Sequence, residues 1–125
     1  MNVLIICSHG ILCDKIKYTL DKIYKNDENY YDISDNILDA RSKLHNHVDI
    51  VIADYNLDGY GPGAGMLVLQ ALHDDIRFNM SSVKSILLYL KNDILTIDDF
   101  QRKHGHWFRI LNKSFNIEDM NIAIR

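Results

Sequence analysis

The sequence predicts an α/β fold: a doubly wound, five-stranded parallel sheet flanked by five helices, in a single domain over residues 1–125. Three observations point there. Five short apolar runs, around residues 3–7, 30–33, 48–54, 83–90 and 107–111, alternate with five amphipathic stretches. The third run is continuously apolar and mostly β-branched from Ile50 to Ala53, which suits a strand covered on both faces. Strands alternating with helices at these lengths build right-handed βαβ units on a parallel sheet.

Taken in order, V-L-I-I-C at residues 3–7 reads as a buried first strand. Ile11, Ile16, Leu20 and Ile23, with Lys15, Lys17, Lys22 and Lys25 between them, read as an amphipathic first helix. After a polar break, Tyr30, Tyr31 and Ile33 mark a short second strand. Ser34 or Asp35 is the expected cap of a second helix carrying Ile37, Leu38, Ala40 and Leu44 and ending around residues 45–47. The third strand ends at Asp54, and a loop with Gly59, Gly61, Pro62 and Gly63 leads into a third helix from about Ala64 to Ile76. V-K-S-I-L-L-Y-L at 83–90 is the fourth strand; Ile94, Ile97 and Phe100 place a fourth helix ending at Gly105. Residues 107–111 form the fifth strand, and residues 115–124 a last helix with Asn116 as cap and Glu118 and Asp119 in its first turn.

Composition excludes several function classes. A net charge of −3 and a pI near 6.0 leave no electrostatic footprint for nucleic acid. No apolar run approaches the roughly 20 residues of a membrane span, and no basic segment precedes the first apolar run as in a secretory signal. Cys7 and Cys13 are too few for a disulfide framework or a zinc site. They read as small core fillers in a reduced, cytoplasmic protein.

The chemistry is expected at Asp54. In open α/β sheets ligands sit beyond the carboxyl ends of the strands, and here an acid ends the central strand before a pliable loop. Two motifs carry a resemblance at this point. D-I-V-I-A-D-Y-N-L-D-G resembles the third strand of a response-regulator receiver domain, the CheY-like, flavodoxin-fold phosphoacceptor module, with Asp54 at the acceptor position. F-R-I-L-N-K-S-F is similar to the fifth strand of that family, with its lysine at Lys113. The resemblance implies that Asp54 accepts a phosphoryl group from a histidine kinase or phosphotransfer protein, and that Lys113 neutralises charge on the phosphoryl oxygens. It also implies Mg²⁺ held by Asp54, by the backbone carbonyl of Asn56 and by two acids ending the first strand.

The sequence departs from the family where that acidic pair belongs, because Cys7 and Ser8 stand there. Mg²⁺ demands oxygen ligands and favours carboxylates, so a thiol and a hydroxyl replace them poorly. The hydroxyl expected near the end of the fourth strand is also missing, with Tyr89 or Ser85 as partial substitutes. Ile110 occupies the position of the family's switching aromatic, and Ser114 that of its proline. The resulting expectation is an atypical receiver with weak or absent Mg²⁺-dependent phosphorylation, signalling through protein–protein contacts rather than as an enzyme.

Other patterns weigh less. His45/His47 and His104/His106 lack the carboxylate spacing of a metal site and read as surface histidines. G-Y-G-P-G-A at 59–64 formally fits a dinucleotide loop but follows the wrong strand. A Cys-x5-Arg phosphatase loop is excluded, since the arginine position after Cys7 is Cys13. The rival from another class is I-I-C-S-H-G-I-L, which looks like the active-site loop of mannose-family sugar-phosphotransferase IIA domains. In that reading His9 carries the phosphoryl group and Asp54 orients it. A homodimer through the last two helices and the fifth strand is a third expectation, with Trp107 and Phe108 as candidate surface residues.

Overall fold

The computed structural model describes residues 1–44, 47–75 and 83–125, so the expectations placed on His45 and on the end of the third helix at Ile76 lie outside the described residues. Five strands form one parallel sheet in the order β2-β1-β3-β4-β5: β1 Asn2–Ile6, β2 Tyr30–Ser34, β3 Ile50–Asp54, β4 Lys84–Tyr89 and β5 Arg109–Asn112. Helices α1 Gly10–Ile23, α2 Ile37–Lys43, α3 Ala64–His73, α4 Ile94–His104 and α5 Ile117–Ala123 fill the connections. The chain leaves β1 in one direction to β2 and returns past it to β3, so β1 and β3 flank the point where the strand order reverses, the place where such sheets bind ligands.

Strand alternation sorts the apolar side chains into two layers. Val3, Ile5, Ile50, Ile52, Ile86, Leu88 and Leu111 face one way and pack with α1 and α5 through Ile16, Leu20 and Met120. Leu4, Ile6, Val51, Ala53 and Leu87 face the other way, against Ala40, Leu69, Leu72 and Ile97 of α2, α3 and α4. The three central strands are buried on both faces, which is why their sequences read as unbroken apolar runs rather than alternating ones.

Local differences from the sequence expectation have physical causes. The cap of α2 is Asn36, not Ser34 or Asp35: its side-chain oxygen accepts from the Asp39 N–H at 2.9 Å, while Ser34 is still the last residue of β2. β5 begins at Arg109, two residues later than expected, because Trp107 turns away from the sheet and donates through Nε1 to Gln70 on α3 at 3.2 Å. A single 3₁₀ turn at Lys91–Asp93 precedes α4, and the N–H of its capping residue Leu90 donates to the Asp93 carboxylate at 2.9 Å. The cap of α5 is Asn116 as expected, and Asp119 answers it: each side chain accepts the other's backbone N–H, at 2.8 and 3.0 Å.

Candidate functional site

Asp54 ends β3 on the layer that faces α1 and α5, continuing the buried row of Ile50 and Ile52. By the same alternation Cys7, just past β1, and Lys113, just past β5, point to that side. Three residues from three parts of the chain therefore share one rim. The Lys113 ammonium reaches across the end of β4 and lies 2.6 Å from Asp54 Oδ1. The Asp54 side chain has no exposed surface, and Lys113 keeps 18% of its own. The Asn56 N–H adds a long hydrogen bond of 3.3 Å to the same carboxylate oxygen. Asp54 Oδ2, fully buried, has no hydrogen-bond partner among the described residues. A buried carboxylate with one oxygen paired and one uncommitted is a costly arrangement for stability alone.

The approach of α3 builds one wall. Gly63, in the left-handed region at φ 81°, starts the helix, and the Gly65 N–H donates to the Tyr55 carbonyl at 3.1 Å. A Cβ on Gly65 would sit 1.6 Å from the Asp54 carbonyl oxygen, so only glycine lets the helix rest on the backbone of the acid. The glycine-rich segment before it is a tight turn closed by a bridge between Leu57 and Gly61, not a dinucleotide loop after a first strand.

The other wall is the β1–α1 loop. Ser8 Oγ accepts the Asp58 N–H at 2.9 Å, and His9 Nε2 lies 3.3 Å from Asp58 Oδ1. Asp58, a turn aspartate with no distinguishing mark in the sequence, thus straps the loop after β3 to the loop after β1. The arrangement needed by the rival reading, Asp54 orienting His9, is not formed: the described partners of Asp54 are Lys113 and the Asn56 N–H.

The donor set suits Mg²⁺ poorly. Burial first, and then the neighbouring Cys13 and Asp54, push the Cys7 thiol up to about 12, so it stays protonated, although the His9 N–H pulls the other way. The Ser8 hydroxyl already accepts the Asp58 N–H, and a lysine ammonium already stands beside Asp54. Among the described residues no group of three histidine, cysteine or acidic side chains is placed to hold a metal. Mg²⁺ keeps several waters and takes one or two carboxylates, and here the Asp54 carboxylate is already paired with Lys113 while that of Asp58 faces His9.

Neither residue proposed to supply a substitute hydroxyl lies on the Asp54 face of the sheet. Ser85 pairs with Val51, and the β4 residue opposite Asp54 is Leu88, three residues or roughly 10 Å further on. Ser85 and Tyr89 share the α3 and α4 side of the sheet with Leu87, opposite to Asp54. Phe108 is buried and so is not the exposed dimer surface expected of it, while Trp107 is half-buried, stacked on His73 with ring centroids 4.1 Å apart. Cys7 and Cys13 are free and buried, as expected of core fillers. His104 and His106 are exposed, and His47 pairs with Asp49 at 2.8 Å.

No protein-family model matches the chain, and no curated protein sequence matches it. Solved structures do. The signal receiver domain of an HD domain-containing protein from Pseudomonas fluorescens Pf-5 superposes with a TM-score of 0.72 at 20% identity, over 99% of this chain and 83% of that one. A response regulator receiver domain protein from Clostridium thermocellum gives 0.71 at 20% identity, covering 98% of this chain and 90% of that one. The receiver domain of a signal transduction histidine kinase from Syntrophus aciditrophicus gives 0.73 at 14% identity, covering 98% and 86%. With its strand order, its five βα units and Asp54 at the carboxyl rim of the central strand, the chain has the fold of response-regulator receiver domains.

Proposed function

We propose that the chain is an atypical signal-receiver module of a two-component or phosphorelay pathway, with Asp54 as its phosphoacceptor. The observation that carries this reading is the Lys113 ammonium 2.6 Å from a buried Asp54 carboxylate whose other oxygen is uncommitted. Phosphoryl transfer asks the protein mainly to position groups and to neutralise charge. Asp54 Oδ2 attacks the phosphorus of a phosphohistidine on a kinase or phosphotransfer protein. The phosphorus–nitrogen bond breaks, its electron pair leaves with the imidazole, and an acyl phosphate remains on Asp54. Lys113, already in place, balances the added charge.

Two features make this receiver slow and nearly indifferent to metal. The carboxylate is buried, and the loops after β1 and β3 are tied together by the Ser8–Asp58 contact, so a donor gains access only when the surrounding loops move. The charge that Mg²⁺ would bring falls to Lys113, because Cys7 and Ser8 supply no carboxylate. The module is a switch read by other proteins rather than an enzyme with its own substrate. Its contact face with a second copy, or with a downstream protein, is α4, β5 and α5, where Leu95 and Ile122 are exposed.

The test is labelling by acetyl phosphate with Mg²⁺ or with EDTA, read by intact mass. The expected result is a low-occupancy, alkali-labile adduct, absent from Asp54→Asn, that differs by no more than about twofold between the two conditions. An acid-labile label that persists in Asp54→Asn would move the chemistry to His9. No label with any donor, or a label that requires Mg²⁺, would overturn the proposal.

A further inference from the structure

We infer that Lys15 is a positioning residue for Lys113: from α1 it fixes the backbone carbonyl of Lys113 and thereby aims the Lys113 ammonium at Asp54. This rests on the functional reading above. Lys15 Nζ donates to the Lys113 carbonyl at 2.9 Å, across 98 residues of sequence, and lies 3.9 Å above the centre of the Phe115 ring. The Lys113 N–H is held from the other side, by the Tyr89 carbonyl at the end of β4, at 3.0 Å.

Both backbone polar groups of Lys113 are therefore bound, each by a different element. With its flanking peptide planes fixed, the direction of the Cα–Cβ bond is fixed as well. A lysine side chain carries much rotamer freedom, and anchoring its root is what makes a single short contact at its tip reproducible. The rest of the turn is held locally. Ser114 donates through its N–H and its hydroxyl to Asn112 Oδ1, at 3.0 and 2.8 Å, and the Phe115 N–H donates to the Asn112 carbonyl at 3.0 Å. Among the described residues, Lys113 is the one of that turn whose carbonyl is held by a distant cation.

The environment of Lys15 is unusual for a merely structural lysine. Its half-buried ammonium turns to a neutral carbonyl and an aromatic face, and no carboxylate comes within ion-pair distance among the described residues. Burial lowers its basicity, with the more distant Asp119 charge partly offsetting that effect. A surface helix position with neighbours such as Lys17 and Lys22 needs no such tertiary contact for solubility. The contact acts instead on the one loop that presents a lysine to Asp54.

Two readouts on Lys15→Met and Lys15→Arg test the inference. Methionine keeps the apolar stem and removes every donor; arginine restores a cationic donor. In the Lys15→Met protein the acetylation rate of the Lys113 amine, followed by peptide mass mapping, should rise at least about threefold as the side chain loses its fixed root. Labelling of Asp54 by acetyl phosphate should fall about tenfold, within the roughly hundredfold that a 1 Å misplacement can cost. Lys15→Arg should return both to within about twofold of wild type. Unchanged Lys113 acetylation in Lys15→Met, or an equal loss in Lys15→Arg, would overturn the role. If Lys15→Met fails to fold, Phe115→Leu, which removes only the ring beneath the ammonium, is expected to move the same two readouts in the same direction, and unmoved readouts overturn the role. Wild-type protein that takes no label at all refutes the functional reading, while the acetylation readout still decides on Lys15.

Discussion

Removing Lys113 while leaving Asp54 is the sharpest perturbation of this molecule. Asp54 has no exposed side-chain surface, its Oδ1 is 2.6 Å from the ammonium, and its Oδ2 has no partner among the described residues. Lys113→Met keeps the length and packing of the stem but strands a buried carboxylate with only the 3.3 Å contact from the Asn56 N–H. Breaking a buried pair in this way costs about 3–5 kcal/mol, because the remaining charge is left uncompensated. At this chain length that corresponds to a fall of roughly 10–20 °C in Tm. Asp54→Asn in the same background removes the stranded charge, and the double variant should recover about 2–3 kcal/mol of the loss. Urea denaturation of the four proteins of the cycle, with one shared m-value, measures both quantities. A Lys113→Met protein within about 0.5 kcal/mol of wild type, or a double variant showing no recovery, would mean that the two charges do not meet in solution.

Three further outcomes follow from other contacts. Gly65→Ala places a Cβ 1.6 Å from the Asp54 carbonyl oxygen and should cost more than about 4 kcal/mol, whereas Gly59→Ala, which meets nothing, should cost only about 1–2 kcal/mol from its left-handed backbone; thermal melts separate the two. The Cys7 thiol is held up to about 12 in the folded protein, from an ordinary 9.0, chiefly by burial. The folded state therefore keeps a proton that the unfolded state has lost between those values. Its contribution is fully present below pH 9 and is lost as pH rises toward 12, by at most about 4 kcal/mol, and Cys7→Ala should flatten this part of the alkaline stability profile relative to wild type. Asn116→Ala breaks the reciprocal cap of α5 and should cost about 1 kcal/mol in urea denaturation, with Asn116→Asp recovering most of it.

Much of this was legible in the sequence because it depends on local pattern. Continuous β-branched runs betray strands buried on both faces, and an acid ending the central run marks the rim where such sheets bind ligands. Asn116 followed three residues later by Asp119 announces a helix start. The misassigned parts depend on register or distance. Ser85 and Tyr89 looked like hydroxyls near the end of β4, but strand alternation turns both to the face away from Asp54. Phe108 precedes a strand, where an aromatic reads alike whether it is exposed or, as here, buried. Ser34, Asp35 and Asn36 are all good capping residues in a row, and only the end of β2 decides among them. Lys15 and Asp58 gave no signal, since their partners lie 98 and about 50 residues away and a surface lysine or a turn aspartate is the commonest reading of either.

The central claim, that Asp54 receives the phosphoryl group beside Lys113, is tested most directly by trapping the product. Acetyl phosphate-treated protein reduced with borohydride converts an acyl phosphate on aspartate to homoserine, which peptide sequencing by mass spectrometry locates. Homoserine at position 54, abolished in Asp54→Asn and diminished in Lys113→Met, is the result this structure predicts. Labelled protein that yields no homoserine at 54, with its phosphoryl group on His9 instead, would contradict it.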